Sequence, residues 1–166
     1  MRTAAILTVS DSSARGERPD RSGPATAELL RQEGFDVTHQ EIVPDDQPTI
    51  ESALVRLSDQ VQLIVTTGGT GIADRDVTPE ATRAVCSKLI EGIPERMRSE
   101  GTANTSYANL SRGVCGVRER TLILNLPGSP TGASESLLAV IEILPHALDL
   151  LAGKTVHDDA HPPRDE

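Results

Sequence analysis

The sequence predicts an α/β protein built on a mostly parallel central sheet, and three observations carry that prediction. Over the first half of the chain, apolar runs of strand length alternate with stretches of helical periodicity, an order that calls for parallel strands joined by right-handed crossovers. Two of the runs, Thr3 to Val9 and Leu63-Ile-Val65, are continuous rather than alternating, as in strands buried on both faces. The second of these empties into Thr66-Thr-Gly-Gly-Thr-Gly71, then Asp74-Arg-Asp76, then the helix start Thr78-Pro-Glu80. Strand, glycine loop, acidic residues and helix start are the parts with which α/β proteins hold phosphates at the carboxyl end of a sheet.

The elements follow in order. The strand Thr3 to Val9 ends in Ser10-Asp-Ser-Ser13 and a charged loop, Ala14 to Arg21, that contains Pro19. This loop is either a surface excursion or a flap over a ligand at the strand's carboxyl end; its composition favours the excursion. Ser22-Gly-Pro24 opens a helix that runs through Ala27, Leu29 and Leu30 to a stop at Gly34. Phe35 to Val43 alternates and suits an outer strand. It leads through Pro44-Asp-Asp-Gln-Pro48 into a helix with Ile50, Leu54 and Leu57 on one face. One of Asp45 and Asp46 is expected to cap that helix, which leaves the other free at the end of a strand.

After the organising loop, Thr78 is expected as the N-cap of a helix reaching about Lys88, with Pro79 in its first position. Ile93 to Arg98 reads as a further helical piece, and Gly101 to Ser111 as polar and poorly periodic. Gly113 to Leu126 reads as two strands around Arg118-Glu-Arg120. The second, Leu122 to Leu126, runs into the tight loop Pro127-Gly-Ser-Pro-Thr-Gly132, with Ser129 or Thr131 as N-cap of a final helix. That helix carries Leu137, Leu138, Ile141 and Leu144, breaks near Pro145 and resumes to about Leu151. Lys154 to Glu166 is expected to be a disordered tail, so residues 1–153 form one domain.

Composition narrows the function. The chain of 166 residues has 16 basic against 25 acidic groups, a net charge of −9, which argues against sequence-independent nucleic-acid binding. With one Phe, one Tyr and no Trp, it lacks stacking platforms for bases. Cys86 and Cys115 show no metal-ligand or CxxC spacing and are expected as reduced thiols of a cytoplasmic protein. His39, His146, His157 and His161 form no metal pattern. No signal peptide and no apolar run of membrane-spanning length are visible.

The glycine loop differs from better-known ones. A Walker loop would end in Gly-Lys-Ser/Thr, and no lysine is present; a dinucleotide loop would carry a third glycine where Asp74 stands. The glycines alone would suit a plain turn equally well. Carboxylates where a phosphate would sit make sense only with a cation, which points to a magnesium–nucleotide site involving Asp76.

With these loops in hand, the chain resembles the molybdopterin adenylyltransferase family of the Mog/MoaB type, which includes the gephyrin G domain. The matching pieces are Leu7-Thr-Val-Ser-Asp11, Pro19-Asp-Arg-Ser-Gly-Pro24, Val43-Pro-Asp45, Thr67-Gly-Gly-Thr-Gly71 with Arg75-Asp-Val-Thr-Pro-Glu-Ala81, Leu110-Ser-Arg112 and Leu126-Pro-Gly-Ser-Pro130. The resemblance implies a three-layer α/β/α sandwich and homo-oligomers, commonly trimers, with hexamers among MoaB-type relatives. It implies transfer of AMP from MgATP to molybdopterin, ahead of metal insertion by a molybdate insertase that the protein would meet transiently. Some MoaB-type relatives keep the motifs without clear catalysis, so a non-catalytic pterin-binding scaffold is the alternative.

By motif, Asp45 and Asp76 correspond to the catalytic aspartates, with Asp76, and Asp45 as a second candidate, toward the metal. Gly68, Gly69, Thr70 and Gly71 fall in the phosphate-facing loop. Ser10, Asp11, Arg21, Ser22, Ser111, Pro127, Gly128 and Ser129 fall in segments lining the pterin or nucleotide site. Asp74 is a departure that adds negative charge beside the presumed metal position.

Overall fold

The computed structural model describes residues 1–154. Its strands are β1 (Arg2–Val9), β2 (Phe35–Val43), β3 (Leu63–Thr67), β4 (Lys88–Leu89), β5 (Cys115–Arg118) and β6 (Thr121–Leu126), forming one sheet in the order β2-β1-β3-β6-β5-β4. β2, β1, β3 and β6 are mutually parallel, whereas β5 runs antiparallel to both of its neighbours. The chain places β2 on one side of β1 and β3 on the other, so the strand order reverses between β1 and β3. An open α/β sheet collects ligands at the carboxyl side of such a reversal.

Helices cover both faces, giving three layers. On one face Ala4 and Ile6 of β1, Leu63 and Val65 of β3 and Leu122 and Leu124 of β6 pack under α2 (Ser22–Gln32), α5 (Gly92–Gly101), α6 (Pro130–Val140) and α7 (Leu144–Leu151). On the other, Ala5, Leu7, Ile64 and Ile123 pack under Ile50, Leu54 and Leu57 of α3 (Gln47–Ser58) and Ala81 of α4 (Thr78–Val85). The central strands are apolar on both sides because both sides are covered. Asn125 interrupts that pattern but is fully engaged: its Nδ2 donates to Thr66 and Thr82 hydroxyls and its Oδ1 accepts from Val114 N.

Several expectations are corrected. Thr78 is the first residue of α4 rather than its cap, and its hydroxyl donates to Gly68 O at 2.9 Å, tying the helix start to the glycine loop. α4 ends at Val85, and the edge strand Lys88–Leu89 follows, too short for any periodicity to announce it. Ser10 caps a short helix, α1 (Asp11–Ala14), between the first strand and the charged loop, which the sequence does not announce. Ser106–Leu110 forms a 3₁₀ turn. The last helix parts earlier than Pro145: α6 stops at Val140, a 3₁₀ turn spans Ile141–Ile143, and Pro145 lies in the first turn of α7. Of the apolar residues in this stretch, Leu137 and Leu144 are buried and Leu138 is half exposed. Except for Lys154, the expected disordered tail lies outside the described residues.

Candidate active site

The carboxyl ends of β1, β2, β3 and β6 deliver Ser10-Asp11, Asp45, the Gly68–Gly71 loop and Pro127-Gly128-Ser129 to one edge of the sheet. The glycines are required there. Gly68 and Gly69 both have positive φ, +94° and +66°. A side chain at Gly68 would run into the Val9 carbonyl, and one at Gly69 into the Thr78 hydroxyl, with Asp45 Oδ1 3.3 Å away. Gly128 packs so closely that a Cβ on it would stand 3.2 Å from Gly68 Cα.

Asp46 accepts from Thr49 N at 3.1 Å and is the cap of α3, which frees Asp45 for the cleft as expected of one member of the pair. Asp45 and Asp11 bind each other's backbone: Asp11 N donates to Asp45 Oδ2, and Asp45 N to Asp11 Oδ1, both at 2.9 Å. Asp45 Oδ1 is left facing Gly69. Across the loop, Asp76 Oδ2 accepts from Ala73 N at 3.0 Å and lies over Gly71, whose Cβ would be only 2.8 Å from it. Burial pushes the Asp45 carboxyl above its ordinary value, and the charges of Asp11 and Asp76 push the same way, against the bond from Asp11 N and the charge of Arg75. Two carboxylates thus converge on the glycine floor from β2 and from the β3–α4 loop.

Two cavities meet at this floor. One, about 550 Å³, is polar and is lined by Thr8, Asp11, Asp20 and Asp45 together with Arg15, Arg18, Arg21 and Arg75. The other, about 430 Å³, is walled by Pro94, Met97, Tyr107, Leu110 and Ser111. Gly69, Asp76, Gly128 and Ser129 line both. Thr70, Gly71 and Pro127 line the second alone, Ser10, Arg21, Ser22 and Gly68 the first alone, so the expected site residues do assemble.

Some of them have structural duties as well. Ser129 accepts from Gly132 N and caps α6. Ser22 is buried and donates to Thr67 Oγ1 at 2.9 Å. Asp74 is exposed and lines neither cavity.

The Ala14 to Arg21 loop is the clearest correction in the site, because it borders the cleft instead of forming a separate excursion. Asp20 holds it there, accepting from Thr8 Oγ1 at 2.6 Å and from Gly23 N at 3.0 Å. The chain's one tyrosine, Tyr107, stands 77% exposed on the rim of the apolar cavity, so that cavity does have an aromatic face. Neither Tyr107 nor Met97 was legible as a site residue, since they sit in separate elements with no shared motif.

The residues fit a magnesium ion of the kind the acidic loop suggested. Among the described residues no group of three His, Cys, Asp or Glu side chains converges, so no all-protein metal cage exists among them. Magnesium typically takes one or two carboxylates and completes its shell with water and substrate phosphates, which is what Asp45 and Asp76 above a glycine floor would offer.

Fold and cleft together define a doubly wound α/β protein with a glycine-floored, carboxylate-lined site at the switch point of its sheet. The family described as "Probable molybdopterin binding domain" matches residues 5–146. A molybdopterin adenylyltransferase of Helicobacter pylori (strain J99) is 42% identical over 152 residues, 89% of this chain and 86% of that protein. One from Escherichia coli (strain K12) is 39% identical over 140 residues, 81% of this chain and 71% of that protein. Among solved structures, the molybdopterin biosynthesis enzyme MoaB of Thermus thermophilus superposes with a TM-score of 0.88 at 52% identity, covering 93% of this chain and 98% of that one. The chain belongs to this molybdopterin-binding family of molybdenum cofactor biosynthesis.

No helix among the described residues is long and apolar enough to cross a membrane.

Proposed function

We propose that the protein is a molybdopterin adenylyltransferase, which joins the AMP moiety of ATP to the phosphate of molybdopterin and releases pyrophosphate. The observation that carries this reading is the meeting of two cavities over one floor, where Asp76, Gly69, Gly128 and Ser129 line both. Two substrates that must exchange a phosphoryl bond need two compartments with a common wall, and the reaction asks the protein mainly to align them.

The chain's own groups divide the work. Backbone N–H groups of the Gly69–Gly71 loop would approach phosphate oxygens closely, since Gly69 and Gly71 put no side chain in the way. Arg15, Arg18, Arg21 and Arg75 ring the polar cavity and draw a polyphosphate into a protein whose net charge is −9. Asp45 and Asp76 take opposite sides of the floor and would hold magnesium there. When bound, the ion supplies the neutralisation that lets two anionic substrates approach. Asp45, fixed through Asp11, also stands where it can orient the attacking phosphate.

The family resemblance further supports a cytoplasmic homo-oligomer, a trimer in preference to a hexamer, that passes its product to a molybdate insertase. Pyrophosphate release in the presence of molybdopterin and MgATP tests the central reading. Tight molybdopterin binding without release would instead make the protein a pterin-binding scaffold.

A further inference from the structure

We propose that Arg112 is a positioning residue that sets the place of the Asp76 carboxylate by clamping the Thr70–Asp76 loop shut. This rests on the adenylyl-transfer reading only for its activity arm. Arg112 binds the loop at both ends. Its backbone N–H donates to Thr70 O at 2.7 Å, its Nε to Gly71 O at 2.7 Å, and its Nη2 to Asp76 O at 2.8 Å. Its Nη1 donates to Glu80 Oε1 on α4. One planar fork thus joins the first turn of a helix to both ends of a loop, a task that suits guanidinium and not ammonium geometry.

Within the loop, Asp76 N donates to Ala73 O at 2.9 Å and Ala73 N to Asp76 Oδ2 at 3.0 Å. These two contacts make a small turn whose closure carries the carboxylate over Gly71. Without the clamp, that turn would hang from Gly71 to Thr78 with no side-chain tether. Arg98 of α5 holds the clamp's own backbone from behind, donating to Ser111 O and Gly113 O at 3.4 and 3.2 Å. α5 and Ser111 wall the apolar cavity, so Arg112 bridges one cavity's wall to the shared floor of both. The guanidinium touches only carbonyls and Glu80 in these bonds, so it acts through Asp76.

The test compares the full chain with Arg112→Lys, Arg112→Ala and Glu80→Gln by amide hydrogen exchange, thermal melting and magnesium-dependent pyrophosphate release. In both Arg112 variants, exchange at Ala73, Asp76 and Thr78 should rise about tenfold or more, the scale of losing a charged hydrogen bond, while β6 amides stay protected. The magnesium concentration giving half-maximal release should rise by a similar factor, with molybdopterin affinity unchanged. Glu80→Gln, which leaves the carbonyl contacts intact, should show the same changes to a smaller extent.

Unchanged loop exchange in Arg112→Ala overturns the clamp. So does exchange that rises across the whole sheet in both Arg112 variants, because Arg112 would then serve the fold at large. Loosened exchange with an unchanged magnesium dependence overturns its role toward Asp76. If the unaltered protein releases no pyrophosphate, the adenylyl-transfer reading fails, and loop exchange alone decides the clamp.

Discussion

Asp11 and Asp45 each accept the other's backbone N–H at 2.9 Å, so the segments leaving β1 and β2 are joined by two reciprocal bonds between acidic residues. The arrangement satisfies two backbone donors but sets two carboxylates side by side, with Asp76 facing them across the floor. A site of this kind holds like charges together before any cation or substrate arrives, and the fold carries the cost.

That cost gives a stability prediction. Burial raises the Asp45 carboxyl above its ordinary value, so the folded state binds its proton more tightly than the unfolded state does. Stability from this group is therefore fully present below the ordinary carboxylate value and is lost as pH rises through the raised one. Asp45→Asn, which can keep the acceptor for Asp11 N, should melt higher than the unaltered protein at pH 7 without magnesium. The scale is about 2–4 °C per kcal/mol for a domain of this size. The gap should close on acidification, and a gap that widened towards low pH would contradict the sign.

Neighbouring glycines should fail differently. Gly68 has φ +94° and faces the Val9 carbonyl, so Gly68→Ala forces both backbone strain and a clash at the sheet edge and should lower the melting temperature. Gly71 carries no positive φ, and its Cβ would meet only the Asp76 carboxylate. Gly71→Val should therefore leave the melting temperature nearly unchanged while weakening nucleotide binding, read by titration calorimetry with MgATP. Normal ATP affinity in that variant would reduce the loop to a turn.

These contrasts show what the sequence could and could not carry. That one of Asp45 and Asp46 caps α3 and the other is free was legible because capping is local; which of them caps was decided by the structure, where Asp46 accepts from Thr49 N three residues on. Thr78 misled because the same Thr-Pro-Glu signature fits a cap, while its actual partner, Gly68 O, was supplied by the tertiary fold. Arg112 was legible as a motif letter but not as a clamp, since its carbonyl partners lie 41 and 36 positions away. The Ala14 to Arg21 loop looked like surface by composition. The bonds that hold it at the cleft, to Asp20 from Thr8 Oγ1 and Gly23 N, depend on the tertiary fold and leave no mark in composition.

The thiols should be inert in the folded protein. Both cysteines are free, and burial pushes Cys86 up to about 11 and Cys115 up to about 12, the latter also through Cys86. At pH 8 the thiolate fraction at Cys86 should fall roughly 10²-fold below that of an ordinary thiol near 8.5, and alkylation should slow to match. Unfolding in denaturant should restore the ordinary rate. Rapid modification of Cys86 in the native protein would mean that the segment after α4 opens.

Assembly is open to direct measurement. The family resemblance predicts a trimer, and sedimentation equilibrium at micromolar concentration should return a mass three times the 17.7 kDa chain. A monomer under those conditions contradicts it.

The last prediction separates Asp76 from Asp45. Asp76 lines both cavities, whereas Asp45 lines only the polar one and is fastened through Asp11. If the proposed reaction holds, Asp76 on the shared wall would serve chiefly the metal and Asp45 chiefly the orientation of the reacting phosphate. Asparagine preserves shape at either position and removes a charged oxygen ligand. Each variant should lose on the order of 10²-fold in turnover, the scale of a misplaced or missing electrostatic contact at a transition state. The two losses should differ in kind. Asp76→Asn should raise the magnesium needed for half-maximal rate, and excess magnesium should recover part of the activity. Asp45→Asn should depress the rate at every magnesium concentration. Molybdopterin affinity should largely survive in both if the pterin occupies the second cavity, whose Met97, Tyr107 and Leu110 are untouched. Full turnover of Asp76→Asn with an unshifted magnesium dependence would show that the metal is held elsewhere.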